Sequence, residues 1–148
     1  MRCDKFWFFT LLIFLSSNAL AGLLTLKCIS SSGDYWNGIS FVHMDLDYKK
    51  ADIEKCDAHE ENTDKGWVVD FDRPEECYTK PGYKVDVSPK TYVLTKIHFE
   101  KGHEVKNVET IDRESGFMSW QVYWKGKPDG NMNNYKQCKK YKTLERRF

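Results

Sequence analysis

Short segments in which apolar and polar side chains alternate run through most of this chain. Residues 67–71 and 117–125 are the clearest, because almost every second residue there is aromatic or aliphatic. Alternation with a period of two is typical of a strand with one buried face. After residue 21 no segment shows helical periodicity over ten or more residues. The pattern therefore restricts the chain to a fold built from β-strands.

Turn signals separate the alternating segments, among them Asn37-Gly38, Lys101-Gly102 and Asp112–Gly116. Strands with turn signals about every 8–12 residues are typical of antiparallel sandwiches and small barrels. We expect an all-β fold, an antiparallel small barrel or sandwich of about eight short strands, bridged by disulfides. Residues 73–82 and 126–134 are expected to be loops.

Two strands in this prediction have a particular role. Residues 104–111 (EVKNVETI) are polar, and we expect this strand to lie near an edge of the sheet. The Trp-rich strand at 117–125 places Met118, Trp120, Val122 and Trp124 on one face, which we expect to be core. An exposed aromatic platform for a sugar or a base is the alternative for that face.

The first 21 residues have the layout of a secretory signal peptide. Arg2 and Lys5 precede an apolar run over 6–15, and Ala19-Leu20-Ala21 supplies the small residues of a cleavage site. Cleavage would leave residues 22–148, predicted to be a single β domain with a basic C-terminal tail. We expect the protein to be exported, either periplasmic or secreted, with no membrane insertion after cleavage. An uncleaved anchor is the alternative.

Four cysteines remain after residue 21, namely Cys28, Cys56, Cys77 and Cys138. An even number in a small exported chain indicates disulfides, and three pairings are possible. We favour Cys28–Cys138, which would tie the opening strand to the closing strand, together with Cys56–Cys77. A zinc site is the rival interpretation, but the chain has no C-x-x-C pair.

The charges of the chain are balanced but segregated. With 23 Lys+Arg against 22 Asp+Glu, the chain lacks the basic excess that nucleic-acid binding requires. The stretch 45–76 holds twelve acidic and five basic residues, and 136–148 holds six basic and one acidic. We expect either two solvated surfaces or contact with a protein partner of opposite charge. The candidate partner-binding residues are Asp45, Asp47, Glu60, Glu61, Glu75, Glu76, Lys139, Lys140, Arg146 and Arg147.

Catalytic motifs are absent from the sequence. It contains no phosphate-binding glycine loop and no G-x-S-x-G elbow, and bridged cysteines offer no thiolate. His98 and His103 flank the Lys101-Gly102 turn and could share a metal with Glu100 or Glu104, although two surface histidines explain them more simply. We expect no enzyme, no cofactor and no metal.

Two family resemblances rest on particular residues. The segments 24–28, 111–116 and 138–148 resemble small exported bacterial β-proteins with cysteines in the first and last strands and an Asp-Arg-x-x-Gly turn. That resemblance implies no activity. The Trp-rich strand at 120–124, Lys125-Gly126 and Cys138-Lys139 are similar to periplasmic inhibitors of C-type lysozyme, which are small disulfide-bridged barrels. Their Ser-Gly-x-x-Tyr loop has no counterpart here, so no inhibitory residue is assigned.

Together these observations favour an exported binding or accessory protein without catalysis. An inhibitor of a cationic secreted hydrolase such as lysozyme is the first alternative. A small periplasmic hydrolase that uses His98, His103 and nearby carboxylates is the second.

Overall fold

Eight β-strands follow one another along residues 22–141, the part of the chain that the computed structural model describes. The predicted signal peptide and the last seven residues lie outside this part. No helix within it is long and apolar enough to cross a membrane. The strands are β1 (Leu23–Ser30), β2 (Ile39–Asp45), β3 (Lys50–Thr63), β4 (Gly66–Val87), β5 (Thr91–Glu100), β6 (His103–Asp112), β7 (Phe117–Trp124) and β8 (Lys127–Lys140).

Each strand pairs antiparallel with the next one, and β8 pairs with β1, so the sheet closes into a barrel. The all-β prediction is confirmed, and a barrel is the form that the strands take. Connections alternate between the two ends of such a barrel. We call the end that carries the β1–β2, β3–β4, β5–β6 and β7–β8 connections the upper end, and the other the lower end.

The lower half of the barrel interior is an apolar core. Its side chains occupy equivalent inward positions on adjacent strands; Ile111 of β6, for instance, lies opposite both Tyr92 of β5 and Met118 of β7. Arg113 lies at this end, where its guanidinium donates to the Ser88 carbonyl at 2.7 Å and lies over the Tyr92 ring. The buried residues of this cluster are Leu26, Cys28, Val42, Met44, Ala51, Ile53, Tyr83, Val85, Tyr92, Leu94, Ile111, Met118 and Cys138.

A second apolar cluster lies outside the barrel wall. Past Cys56, β3 no longer pairs with β2, and its hairpin with β4 extends beyond the wall as an arm over residues 57–75. Val69 and Phe71 of the arm pack against the outer face of β2 and β3 at Ile39, Phe41, Cys56 and Ala58. Strand β2 is therefore covered on both faces, which explains why its burial does not alternate.

Both predicted disulfides form. Cys28–Cys138 joins β1 to β8 across a separation of 110 residues, and Cys56–Cys77 joins β3 to β4 across 21 residues. The first bridge faces the interior at the line where the barrel closes, and the second lies at the base of the arm. A crosslink between distant residues stabilises a fold chiefly by restricting the unfolded chain, by about 2–4 kcal/mol.

Two segments predicted to be loops are strands. Residues 73–82 belong to β4 and residues 127–134 to β8. The prediction was wrong because it assigned the prolines and glycines of these segments to turns. In the structure, Pro81-Gly82 lies where the β3–β4 register shifts. A β-bulge accommodates such residues without ending the strand. The polar stretch after Cys56 is likewise paired within the arm.

The expectation that residues 104–111 lie near a sheet edge is wrong. Strand β6 pairs with β5 on one side and β7 on the other, and the closed barrel has no edge there. Val105, Glu109 and Ile111 are buried. The Trp-rich face of β7 joins the core only at Met118, because Trp120, Val122 and Trp124 are half-buried nearer the upper end.

The core assignment predicts unequal effects of two substitutions in β5. Leu94→Ala removes a fully buried side chain and should lower the free energy of unfolding by about 2–5 kcal/mol. Ile97→Ala, at a position 54% exposed on the outer face, should cost no more than about 1 kcal/mol. Urea denaturation of the oxidised protein measures both. Equal losses would contradict the inward orientation of Leu94.

Candidate functional site

A layer of ionisable side chains lies above the apolar core, inside the barrel. Its centre is Glu109 of β6, which is only 1% exposed. The Tyr135 hydroxyl donates a hydrogen bond of 2.8 Å to Glu109 Oε2. Burial raises the pKa of Glu109 above its usual value, while the Tyr135 hydrogen bond, Lys55 and Lys136 act in the opposite direction. The pKa of Tyr135 is raised as well, by burial and by the neighbouring carboxyl.

An irregularity in β8 places two consecutive side chains of this layer together. The β7–β8 register shifts between Met118 and Trp120, and Asn134 has a φ of 49° there. Ser119 Oγ accepts the Asn134 backbone N–H at 2.9 Å and so fixes the bulge. Consecutive residues of a regular strand point to opposite faces, but Tyr135 and Lys136 both contribute to the interior layer.

Lys136 connects β8 to the loop between β1 and β2. Its side chain is 4% exposed, and its Nζ donates to the Asn37 carbonyl at 2.7 Å and to Ser40 Oγ. The pKa of Lys136 is lowered to about 8, chiefly by burial and then by the charge of Lys55, while Glu109 acts in the opposite direction. Two of its three N–H donors are thus used, both by neutral acceptors, and the ammonium lies in surroundings that disfavour its charge.

Lys55 is the second cation of the layer. It lies on β3 opposite Ser40 of β2, and its side chain is half-buried. Burial lowers the pKa of Lys55, Glu109 raises it, and Lys80 lowers it again. In contrast to Lys136, its ammonium has no hydrogen bond or ion pair with any residue between 22 and 141.

A cavity of about 650 Å³ opens above these side chains at the upper end; we call it the upper cavity. Lys55, Tyr135 and Lys136 line its inner part, while Trp36 and Met132 line it with large exposed side chains. The other lining residues are Ser30, Ser31, Ser32, Asp34, Asn37, Asn133 and Asn134. The volume lies within the range of about 300–1,000 Å³ that is typical of small-ligand sites.

The acidic residues predicted to contact a partner do not form one surface. Asp45 and Asp47 lie at the β2–β3 turn of the lower end, where the Asp45 carboxylate accepts backbone N–H groups of Asp47 and Tyr48. Glu60 and Glu61 lie on the arm, toward the upper end.

The remaining predicted residues are also divided. Glu75 and Glu76 lie on the β4 side of the arm, and Glu75 Oε1 is 2.6 Å from His59 Nδ1. Lys139 and Lys140 lie at the lower end of β8. Arg146 and Arg147 lie outside the described residues.

The structure gives His98 and His103 no common ligand cluster. His98 lies 3.9 Å from Glu100, and the His103 ring contacts Trp124. Between residues 22 and 141, the sole group of three potential metal ligands within 4.8 Å of one another is Glu54 with Cys56 and Cys77. Those two sulfurs are bonded to each other, so they carry no thiolate for a metal.

Sequence reasoning did not identify Glu109, Tyr135, Lys136 and Lys55 as one site. A signal existed for Glu109, because it occupies the same alternating positions as Val105 and Ile111 in β6. No local signal existed for Tyr135 with Lys136, since the bulge that aligns them depends on pairing with β7.

No protein-family model, no curated protein and no solved structure matches the chain. The class of the protein therefore follows from its own geometry: a closed, disulfide-bridged β-barrel with a charged layer beneath an open cavity.

The buried ammonium of Lys136 predicts a pH dependence of stability. Its folded-state pKa, about 8, lies below the ordinary 10.5, so the unfolded chain binds more protons between these values. The free energy of unfolding should therefore rise with pH, by about 2 kcal/mol from pH 8 to 9.5, and Lys136→Met should remove most of that rise, leaving the share that Lys55 contributes.

Urea denaturation at several pH values in this range measures the free energy of unfolding. The pH dependence of Lys136→Met is then compared with that of the unaltered protein. Lys139→Met, which removes an exposed lysine of the same strand, is the matched control and should keep the rise. A rise of the same size in Lys136→Met would show that another group causes it.

Proposed function

We propose that this chain is an exported, non-catalytic binding protein that holds a small ligand in the upper cavity. The proposal depends on one observation: Lys55 and Lys136 line the upper cavity, which has a volume of about 650 Å³, at one end of a closed barrel. Barrels of eight strands have an interior just large enough for side chains or for one small ligand. Here the upper cavity lies at the rim of the barrel, lined by the end of β1, the β1–β2 loop, β3 and β8.

The chemistry of the lining supports binding rather than reaction. Concave sites of this size fix a ligand with a few placed polar groups among apolar contacts. The upper cavity has such groups in Lys55 and Tyr135, and apolar contacts in Trp36 and Met132. No histidine lines it, so its three serines lack the imidazole base that a serine nucleophile commonly uses.

Two disulfides are consistent with an extracellular or otherwise oxidising compartment. Export to the periplasm or the medium is part of our proposal and rests on the predicted signal peptide. Contact with a cationic protein through Glu60 and Glu61 of the arm remains a prediction. Such a contact would use the arm, whose residues Glu60 and Glu61 do not line the upper cavity, so the cavity would stay accessible to a ligand.

Dye binding tests the proposed site. The oxidised protein should raise the fluorescence of 1-anilinonaphthalene-8-sulfonate or Nile red in a saturable manner with one site per chain. Asn133→Trp places a bulky ring at the cavity lining and should weaken that binding by about tenfold or more. Emission of the dye reports occupancy directly.

The matched control is Asn131→Trp in the same strand. Asn131 is exposed, lies opposite Gln121 and does not line the upper cavity. This variant should bind the dyes like the unaltered protein, and circular dichroism checks the fold of both. If neither dye binds, or if both variants bind equally well, the upper cavity is not the site.

A further inference from the structure

The interior of the barrel carries more cations than anions. Lys55 and Lys136 line the upper cavity, and the ammonium of Lys96 lies over the Tyr83 ring, 5.7 Å from its centroid. Glu109 is the buried carboxyl that faces them. Charges in a low-dielectric interior interact over longer distances than charges in water, so the excess attracts an anion.

The polar side chains of this layer differ in whether their hydrogen-bond donors are already used within the protein or are available to a ligand. Lys136 donates to the Asn37 carbonyl and Ser40, and Tyr135 donates to Glu109. The half-buried Lys55 ammonium donates to none of the residues in 22–141. A partly buried cation without a counter-ion is less favourable than a paired one, and an incoming anion would supply the missing partner. Lys55 is therefore the direct donor, and Lys136 adds its charge to the field.

Apolar side chains surround the entrance above these cations. Trp36, in the β1–β2 loop, is 71% exposed, and Met132, on β8, is 53% exposed, yet both line the upper cavity. Large apolar groups in water next to a cavity mark a place where a ligand can bury apolar surface. Asp34, whose carboxylate accepts from Ser32 Oγ at 2.9 Å, is the acidic residue of the lining and belongs to the exposed loop.

We propose that the ligand of the upper cavity is a monomeric amphipathic anion, with its head group on Lys55 and its apolar body between Trp36 and Met132. This inference rests on the proposed binding function and adds the chemical class of the ligand. The charge of the inner lining defines the head group, and the apolar entrance defines the body. A neutral amphiphile would leave Lys55 without a counter-ion, and a cation would be repelled.

Three probes of one chain length test the ligand class in the unaltered protein: decanoate, decanol and decyltrimethylammonium. Isothermal titration measures each affinity, below the critical micelle concentrations of the two ionic probes and within the solubility of decanol. Decanoate should bind at least about tenfold more tightly than decanol, and the cation should not bind. Equal binding of decanoate and decanol would overturn the anionic class while leaving a binding site in place. If none of the three probes binds and neither dye binds, the proposed binding function is also wrong.

A pair of variants tests the role assigned to Lys55. Lys55→Met should weaken decanoate binding by about tenfold to a hundredfold and leave decanol binding unchanged. Lys50→Met, which removes an exposed lysine at the lower end of the same strand, should bind both probes like the unaltered protein. An equal effect of the two variants on decanoate would overturn the assignment.

Vesicles distinguish a free molecule from a lipid head group of the same charge. The proposal expects the protein to stay in the supernatant when phosphatidylglycerol vesicles are sedimented, because the head group must leave a membrane surface to reach Lys55 in the upper cavity. Sedimentation with those vesicles, without binding of monomeric decanoate, would overturn the proposal in favour of a membrane surface.

Discussion

The antiparallel pairing of β1 with β8 closes the sheet, and the burial of every charged group inside the barrel depends on it. Cys28 lies opposite Cys138 in this pairing, and their disulfide links the two ends of the sheet covalently. The same register places Lys136 next to β1, facing inward, within reach of Ser40 on β2. In an open sheet Lys136 would project into water, and Glu109 would need no buried partner.

The charged layer divides the barrel interior into two environments. Below it, the side chains are mostly apolar, and the hydrophobic effect supplies most of the stability of the fold. Within it, burial disfavours the charged forms of Glu109, Lys55 and Lys136. Such groups cost stability unless they are paired, so the core below them, the outer cluster and the two disulfides must offset that cost.

Much of the fold could be predicted from local patterns. Alternation identified the strands, turn dipeptides such as Lys101-Gly102 marked hairpins, and the position of the cysteines near both ends of the chain favoured their pairing across the closure. Prediction failed where pairing overrides composition. Residues 73–82 and 127–134 contain turn-forming residues, yet both segments are strands, because β3 and β7 provide their hydrogen-bonding partners. Register shifts in these pairings accommodate Pro81 and Asn134. The candidate site was missed for the same reason, since Tyr135 and Lys136 share a face only through such a bulge.

The sequence by itself determined the period of two, the turns and the number of cysteines, because these depend on the preferences of a few neighbouring residues. It thereby determined the all-β class and the presence of disulfides. The tertiary structure decided that the sheet closes, that β6 is interior and that Glu109 lies beneath two lysines from distant strands. Contacts between residues as far apart as Ser40 and Lys136 arise only when the whole sheet closes, since no local preference of the chain specifies them.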